Sequence, residues 1–342
     1  MSRNTPLSDA IEQYQLHMQA RALEPRTIKN NLQPLRRGLE EWGNIQTGSI
    51  TGQHIDRLFR RASWSPTTRN LYLGSLRGFF TFCRREGHIA KDFDPTSGWT
   101  AMRTPRRERM RLDVGEFPAL LDACQHPRDR FVCALGLYTF LRGGEIASLR
   151  VADLDLERFE LTIWRHKTKE ADVLPVCEEL AEEAHAWLEW YRRDTTRVPL
   201  DPNWFLVPAK LPNLTRQNPL THRIEVIPGA LAPLRPDRQM SHPYRAVQRA
   251  LAALGYDTER EGEHTLRRSG ARALFDALRE QGYDGALMRV SSFLGHKDTR
   301  ITERYIGLTL ERTQRNEQFG GKPMFGSKTS AKVIPITGRS EG

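Results

Sequence analysis

Arg142, Lys167, His264, Arg267, His296 and Tyr305 follow one another along this 342-residue sequence. Together they are the side-chain types that transfer of a phosphoryl group to a protein hydroxyl needs. A guanidinium offers a planar fork of donors to the non-bridging oxygens of a phosphate, which an ammonium cannot copy. An ammonium can protonate a leaving oxygen, and an imidazole can accept a proton near neutral pH. A phenol near pKa 10 is a poor nucleophile until such a base takes its proton.

Taken singly, each segment also has an ordinary reading. Leu141-Arg142-Gly143-Gly144-Glu145 puts an arginine at the mouth of a helix, with glycines that allow close backbone approach, yet alone it reads as a Gly-rich turn. Arg165-His166-Lys167-Thr168-Lys169 falls at a hairpin tip, where lysines are commonly just solvated. His264 and Arg267 lie one helical turn apart on one face. The same H-x-x-R spacing recurs at His54/Arg57 and His242/Arg245, so at most one of the three is expected to do chemistry. Leu294-Gly295-His296 ends nine residues before Tyr305, a distance that one turn and a short helix close. A lone tyrosine, by contrast, is usually a packing residue.

Positioning these groups falls to elements that the patterning marks out. Residues 1–92 read as a compact helical domain. Ile28, Leu32, Leu35, Leu39 and Trp42 recur at spacings of 4, 3, 4 and 3 and so share a helix face. Pro34 is expected to kink that helix or to mark its start. Ser65-Pro66 opens a second helix as cap and first-turn proline, and Leu71, Leu76, Phe79, Phe80 and Cys83 stripe it until Gly87. Arg36, Arg69 and Arg77 lie largely off these stripes, on a face that either lies along a polyanion or is simply solvated. Residues 93–111 read as a basic linker with little apolar matter for a core; its Arg103, Arg106, Arg107, Arg109 and Arg111 are further candidates for phosphate contacts.

The second domain, residues 112–320, opens on capping-box spacing at Asp113 and Glu116. A buried helix over 131–140 leads to Arg142. Phe159–Trp164 alternates as a strand, with Val173–Val176 as its partner across a turn. Helices follow over 180–191, 243–254, 266–278 and 287–294, while the proline-rich stretch 199–243 is the least legible. Residues 321–342 read as a flexible tail. The expected class is mainly α with a small antiparallel β-sheet.

Lys and Arg number 52 against 42 Asp and Glu, a net charge of +10. That fits a polyanionic partner, because cationic side chains displace counterions from phosphates. Cys83, Cys124, Cys133 and Cys177 form no C-x-x-C pair and no zinc-spaced cluster with His, so they are expected to be reduced, mostly buried thiols of a cytoplasmic protein. The chain does not open on a signal-peptide core, and no apolar run nears the roughly 20 residues that cross a bilayer. No carboxylate cluster suits a catalytic metal, and neither metal nor cofactor is expected.

The order of the six residues, each beside fitting neighbours, resembles the tyrosine recombinase (phage integrase) family of site-specific recombinases over nearly the whole chain. Thr139-Phe140-Leu141-Arg142-Gly143-Gly144-Glu145 is similar to its first arginine box, T-G-L-R-x-x-E. His166-Lys167 through Val173-Leu174-Pro175-Val176 resembles its strand-borne lysine segment. His264-Thr265-Leu266-Arg267 resembles the second box, and Leu294-Gly295-His296 with Tyr305 the third. Departures are Phe140 where Gly is usual, Asp172 where Arg is frequent, and Arg268 where His is frequent.

The resemblance implies a helical core-binding domain that clamps DNA, joined to a catalytic domain. There Tyr305 attacks a phosphodiester, forms a 3′-phosphotyrosyl bond and releases a 5′-hydroxyl, so that rejoining needs no ATP. In this reading His264 accepts the Tyr305 proton, Arg142 and Arg267 bind the phosphate with His296 in support, and Lys167 protonates the leaving oxygen. Glu145 and Asp153 take no chemical step. The implied partner is double-stranded DNA, worked on by a homotetramer on paired sites, with Leu308, Leu310 and Phe319 docking on a neighbouring subunit. The core-binding domain is read as opening the chain, without the arm-binding domain of large phage integrases. That fits a recombinase of chromosomes, plasmids or small mobile elements, with a compact phage integrase left open. Three other readings stand beside it: a DNA-binding protein of the same fold without catalysis, a type IB topoisomerase-like enzyme, and an RNA-binding or purely structural helical protein, which would explain the charge but not the ordered residues.

Overall fold

In the computed structural model the described residues are 5–61, 64–104, 109–165, 168–196, 199–217, 223–227 and 231–308. The chain divides into two compact units, Met1–Glu108 and Arg109–Gly342.

The first unit is helical, with α1 (Leu7–Ala20), α2 (Pro25–Trp42), α3 (Gly52–Arg61) and α4 (Pro66–Arg85). The stripe of five apolar residues forms the inward face of α2, where Leu32 and Leu35 are enclosed. Pro34 lies within that helix and does not start it, because Pro25 already occupies the first turn. Its missing N–H removes one helical hydrogen bond, offset by burial of its ring beside those leucines. At the start of α4, Ser65 Oγ accepts from the Thr68 N–H at 3.2 Å.

The stretch expected as a linker is anchored over its first half. Arg84 donates to the Phe93 carbonyl at 2.9 Å, Arg77 donates to the Trp99 carbonyl, and Asn70 exchanges two 2.8 Å hydrogen bonds with the Met102 backbone. Phe93 and Trp99 pack on the helical core. Apolar content alone understates this segment, because side chains of α4 grip its backbone carbonyls.

In the second unit α6 (Pro127–Tyr138) is the central post, with Phe131, Val132, Leu135 and Leu137 shut off from solvent. A helix apolar on every side must be enclosed on every side. Packed on it are α5 (Phe117–Asp122), α7 (Gly143–Ser148), α8 (Glu178–Thr195), α9 (Tyr244–Ala253) and α10 (Glu263–Glu280). The Asp113–Glu116 capping box forms ahead of α5. Where α10 crosses α6, Gly270 is required: a Cβ there would overlap the Leu137 carbonyl oxygen.

The strands β1 (Leu154–Asp155), β2 (Glu160–Arg165) and β3 (Glu170–Pro175) make one antiparallel sheet in that order, with Leu161 opposite Leu174 and Arg165 opposite Glu170. The proline-rich stretch holds two more antiparallel pairs: β4 (Pro208–Lys210) with β7 (Leu234–Gln239), and β5 (Thr215–Gln217) with β6 (Ile224–Val226). The β-structure is therefore spread over three small pieces among the described residues, where one was expected. The last helices, α11 (Ala286–Leu294) and α12 (Thr299–Tyr305), close on α10 around Phe140, Ala271, Val290, Leu294 and Ile306.

Leu308, expected to reach a neighbouring subunit, instead packs on that same cluster, with its N–H bonded to the Glu303 carbonyl at 2.8 Å. Leu310, Phe319 and the tail over 321–342 lie outside the described residues. Cys83 and Cys133 are buried, Cys124 half-buried and Cys177 exposed. No helix among the described residues is long and apolar enough to cross a membrane.

The α6–α10 crossing yields a stability test. Gly270→Ala forces two helices apart against a backbone oxygen that has no rotamer to escape into. We expect a loss of about 3 kcal/mol, at the upper end of ordinary overpacking. In a unit of this size that is a drop in melting temperature of roughly 6–12 °C. An unchanged melting temperature would show that the helices do not meet at Gly270.

Candidate active site

The site grows from α7. Arg142 precedes that helix, and Glu145 reaches back so that its Oε2 accepts from the Arg142 backbone N–H at 2.8 Å. Its Oε1 takes the Arg142 Nη1 at 3.0 Å. Glu145 is buried, at 3 % exposure, whereas about a third of the Arg142 side chain (31 %) meets solvent. Arg142 is thus held from behind with its outer edge open.

Beneath it lies Arg267, from the first turns of α10, at 1 % exposure. Its Nη1 donates to the Phe140 carbonyl, and its Nη2 donates to the Leu294 carbonyl at 2.8 Å. It also stands 3.9 Å from Glu145 Oε2. The guanidinium therefore spans the loops that end α6 and α11. Burial pulls its pKa down to about 10, with Arg142 and Arg165 adding repulsion, yet it stays charged at neutral pH. The sequence reading had both arginines offering open forks; only Arg142 does so here, because Arg267 is already committed to carbonyls.

Phe140 departs from the glycine usual in the first box, and the backbone records it. Its φ of +54° is left-handed, a conformation that costs a non-glycine residue about 1–2 kcal/mol. Its ring repays this by burial at the α10–α11–α12 cluster, edge-on to Phe293 at 5.9 Å.

Tyr305 ends α12, half-buried, with its ring centroid 5.9 Å from the Arg267 guanidinium carbon. Its hydroxyl donates to the His264 carbonyl at 3.2 Å and lies 3.5 Å from His264 Nδ1. Desolvation raises the phenol pKa, and Arg267, Arg268 and Arg142 pull against it without cancelling it. The phenol is therefore protonated near neutral pH and needs a base. His264 is exposed, and its pKa is lowered, first by desolvation and then by Arg267, Arg268 and Arg142, against an opposing pull from Glu263. Its ring is accordingly neutral and able to accept.

His296 stands edge-on to the Tyr305 ring at 5.7 Å. It is fixed by a closed circuit: Thr302 donates to Ser291 Oγ at 2.9 Å, and Ser291 donates back to the His296 carbonyl at 3.2 Å. His296 Nδ1 lies 3.0 Å from Thr302 Oγ1. Since the Thr302 proton is spent on Ser291, Nδ1 must be the donor, which assigns the tautomer. Lys167, with His166, lies outside the described residues.

Arg165 escaped the sequence reading. It occupies the third inward position of β2, after Leu161 and Ile163. Its guanidinium binds Asp172 at 2.9 and 3.1 Å and the Phe293 carbonyl at 2.8 Å, and its Nη1 stands 3.9 Å from Glu145. The period-2 alternation was the available signal: a charged residue in register with two core positions must find buried partners. Asp172, which departs from the family's arginine, is thereby explained as a half-exposed partner of that guanidinium. Arg268, at the other departure, is buried against the Met110 carbonyl and Glu261.

In the other two H-x-x-R pairs the histidine makes local bonds, and His242 Nε2 also stands 3.7 Å from Glu263 Oε1, beside His264. His54 accepts from the Thr51 N–H ahead of α3, and His242 from the Tyr244 N–H ahead of α9. Of the candidate DNA contacts, Arg36 and Arg103 are exposed. Arg77 is exposed but holds the Trp99 carbonyl, and Arg69 turns inward to the Phe59 carbonyl at 2.7 Å. Arg69 thus braces its own unit, because it projects from the first turn of α4 toward the end of α3. Arg106 and Arg107 lie outside the described residues. Among those described, no group of His, Cys, Asp and Glu could hold a metal ion.

The chain is similar to known proteins in sequence and in fold. The sequence profile of the phage integrase family matches residues 110–312. A tyrosine recombinase XerD from Xanthomonas campestris is 28 % identical over 288 residues, covering 81 % of this chain and 80 % of the relative. A lambda integrase dimer bound to a COC′ core site superposes with a TM-score of 0.63 at 17 % identity, over 89 % of this chain and 78 % of that one. A lambda integrase tetramer bound to a Holliday junction gives 0.61 at 16 % identity, over 86 % and 78 %. At these identities the structural matches establish the fold.

The burial of Glu145 makes a direct prediction. Glu145→Gln keeps the bond to the Arg142 N–H but withdraws the charge facing three guanidiniums. We expect a loss of about 3–5 kcal/mol in chemical denaturation. Asp172→Asn, at a carboxylate 42 % exposed, should cost no more than about 1 kcal/mol. Equal losses would mean that Glu145 is not the counter-charge of the site.

Proposed function

The chain belongs to the phage integrase family, and we propose that it is a tyrosine-type site-specific DNA recombinase, which cleaves and rejoins double-stranded DNA through a 3′-phosphotyrosyl intermediate. One observation carries this reading. The Tyr305 hydroxyl, the His264 imidazole and the Arg142–Arg267 pair come from α7, α10 and α12, far apart in sequence, and converge on one partly open point.

In the proposed step the Tyr305 oxygen bonds to phosphorus and the bond to the 5′-oxygen breaks. The phenolic proton passes to His264, and Lys167 gives a proton to the departing 5′-oxygen. Arg142, from its open side, and Arg267, from below, offset charge growing on the non-bridging oxygens. His296, its Nδ1 proton held by Thr302, supports the same phosphate in its imidazolium form, in which Nε2–H also donates. Rejoining runs the step backwards, with the 5′-hydroxyl attacking the phosphotyrosine, so bond energy is conserved. Fixed cations fill the place that metal ions take in two-metal nucleases.

The helical unit is proposed to clamp DNA, with Arg36 and Arg103, each exposed, and the linker residues Arg106 and Arg107 among the contacts. The lambda integrase tetramer supports a homotetramer on paired sites as the working form. Action on DNA supports a place in the cytoplasm.

The test uses a nicked DNA substrate carrying the chain's native flanking sequence, without divalent metal, followed by denaturing electrophoresis. The wild type forms a protein–DNA adduct and Tyr305→Phe forms none. Tight binding without an adduct in the wild type would favour the non-catalytic reading. A second expectation concerns pH. Only neutral His264 accepts a proton, and desolvation disfavours its charged form. The acid limb of the cleavage rate should therefore fall below the ordinary imidazole value of 6.5 and vanish in His264→Ala. An acid limb left unchanged by that substitution would move the base elsewhere.

A further inference from the structure

The carbonyl that follows the nucleophile is held by two arginines. Arg111 Nη1 donates to the Ile306 carbonyl oxygen at 2.7 Å, and Arg272 Nη1 reaches the same oxygen at 3.4 Å. Arg272 is itself oriented by Asp276, one turn further along α10, at 2.6 Å. The chain then turns at Gly307 with φ +76°, a conformation that favours glycine, and a Cβ there would stand 2.6 Å from Arg111 Nη1. The turn after Tyr305 is thus shaped around the Arg111 guanidinium.

Arg111 does not act from a loose strand. On one side the Met110 carbonyl accepts from Arg268 Nη2 at 2.8 Å and Nε at 3.2 Å, and on the other the Leu112 N–H donates to Ser269 Oγ at 2.8 Å. Three consecutive residues are therefore pinned, two of them to the α10 residues that directly follow Arg267. The sequence reading took Arg111 as one of a run of phosphate-seeking linker arginines; its guanidinium is occupied within its own unit.

We infer that Arg111 is the positioning residue of the nucleophile, with Arg272 as its secondary support. It fixes the backbone at the end of α12 so that the Tyr305 hydroxyl stays within reach of His264. The physical case is one of leverage. The hydroxyl's contacts with His264 are long, a 3.2 Å bond to the carbonyl and a 3.5 Å approach to the ring, and Arg267 adds a side-chain hydrogen bond. A charged donor on a neutral carbonyl is among the stronger hydrogen bonds, and here it sits one residue away from the phenol. Misplacing a reacting group by about 1 Å can cost on the order of 10²-fold in rate.

The inference rests on Tyr305 being the nucleophile, and the test separates the two. Single-turnover adduct formation on the nicked substrate is measured at saturating protein, with the DNA dissociation constant measured in parallel, for the full chain and for Arg111→Ala, Arg111→Lys and Arg272→Ala. We expect Arg111→Ala to slow adduct formation by roughly 10²-fold while the dissociation constant moves less than twofold. Arg111→Lys should recover part of the rate, and Arg272→Ala should fall between it and the wild type. A dissociation constant that weakens in step with an unchanged saturated rate would make Arg111 a phosphate contact and overturn the inference. Hydrogen exchange of the peptide spanning Thr299–Leu308 supplies a readout independent of activity. Its protected amides, Ile306 to Thr302 and Leu308 to Glu303, should exchange roughly tenfold faster in Arg111→Ala. If the wild type forms no adduct, the functional reading fails while this arm still decides the positioning; exchange unchanged by Arg111→Ala overturns it.

Discussion

A single buried carboxylate makes this site physically tenable. Arg142, Arg165 and Arg267 gather around Glu145, two of them almost wholly enclosed. Cations brought together out of water repel one another and lose hydration, and neither cost is small in a protein interior. Glu145 offsets part of that, and backbone carbonyls of Phe140, Leu294 and Phe293 take up remaining donors. Even with Asp172 at its half-exposed position counted, the cluster faces outward with an excess of positive charge. In the proposed reaction a phosphate would supply the anion that this arrangement of three guanidiniums and two carboxylates leaves missing.

The same bonds hold the fold together, so core and site are not separable. Arg267 joins the loop after α6 to the loop after α11, and it can do so only because α10 lies against α6 at Gly270. Phe140 shows both demands meeting at one residue. Its left-handed backbone turns a carbonyl toward Arg267, and its ring fills the cluster below α12. A glycine would relieve the backbone and empty the cluster; burial of an aromatic ring is worth more than the strain it has to overcome.

Much of this was legible in the sequence, for a reason that differs from residue to residue. Helices with 3.6-residue stripes, such as α2 and α4, carry most of the record of which face is inward, although Leu71 of the α4 stripe is exposed. The order of Arg142, His264, Arg267, His296 and Tyr305 carried the site, because no single motif did: three H-x-x-R pairs share one spacing, and only tertiary placement distinguishes them. Three things were hidden. Arg165 was overlooked because a charged side chain at a hairpin was taken as solvated, although strand alternation pointed it inward. The anchoring of 93–102 was invisible because it depends on side-chain bonds to carbonyls, which leave no trace in composition. Leu308 read as free to reach a neighbour because its cover is Ile306 and the α10–α11 surface, assembled from distant segments.

The placement of Tyr305 fits what a covalent nucleophile, the role proposed for it, must do. It has to meet phosphorus in line, then carry the phosphate through exchange, then release it. Tight hydrogen bonds to the phenol oxygen would serve the first demand and obstruct the other two, since that oxygen must shed its proton and accept a new bond. The observed contacts of the hydroxyl with His264 are long, while the restraint lies on the backbone and on the ring, through Ile306, Arg267 and His296. Precision is thus supplied behind the reacting atom, where it survives the change from phenol to phosphotyrosine. The oxygen itself keeps the freedom that two successive bond exchanges require.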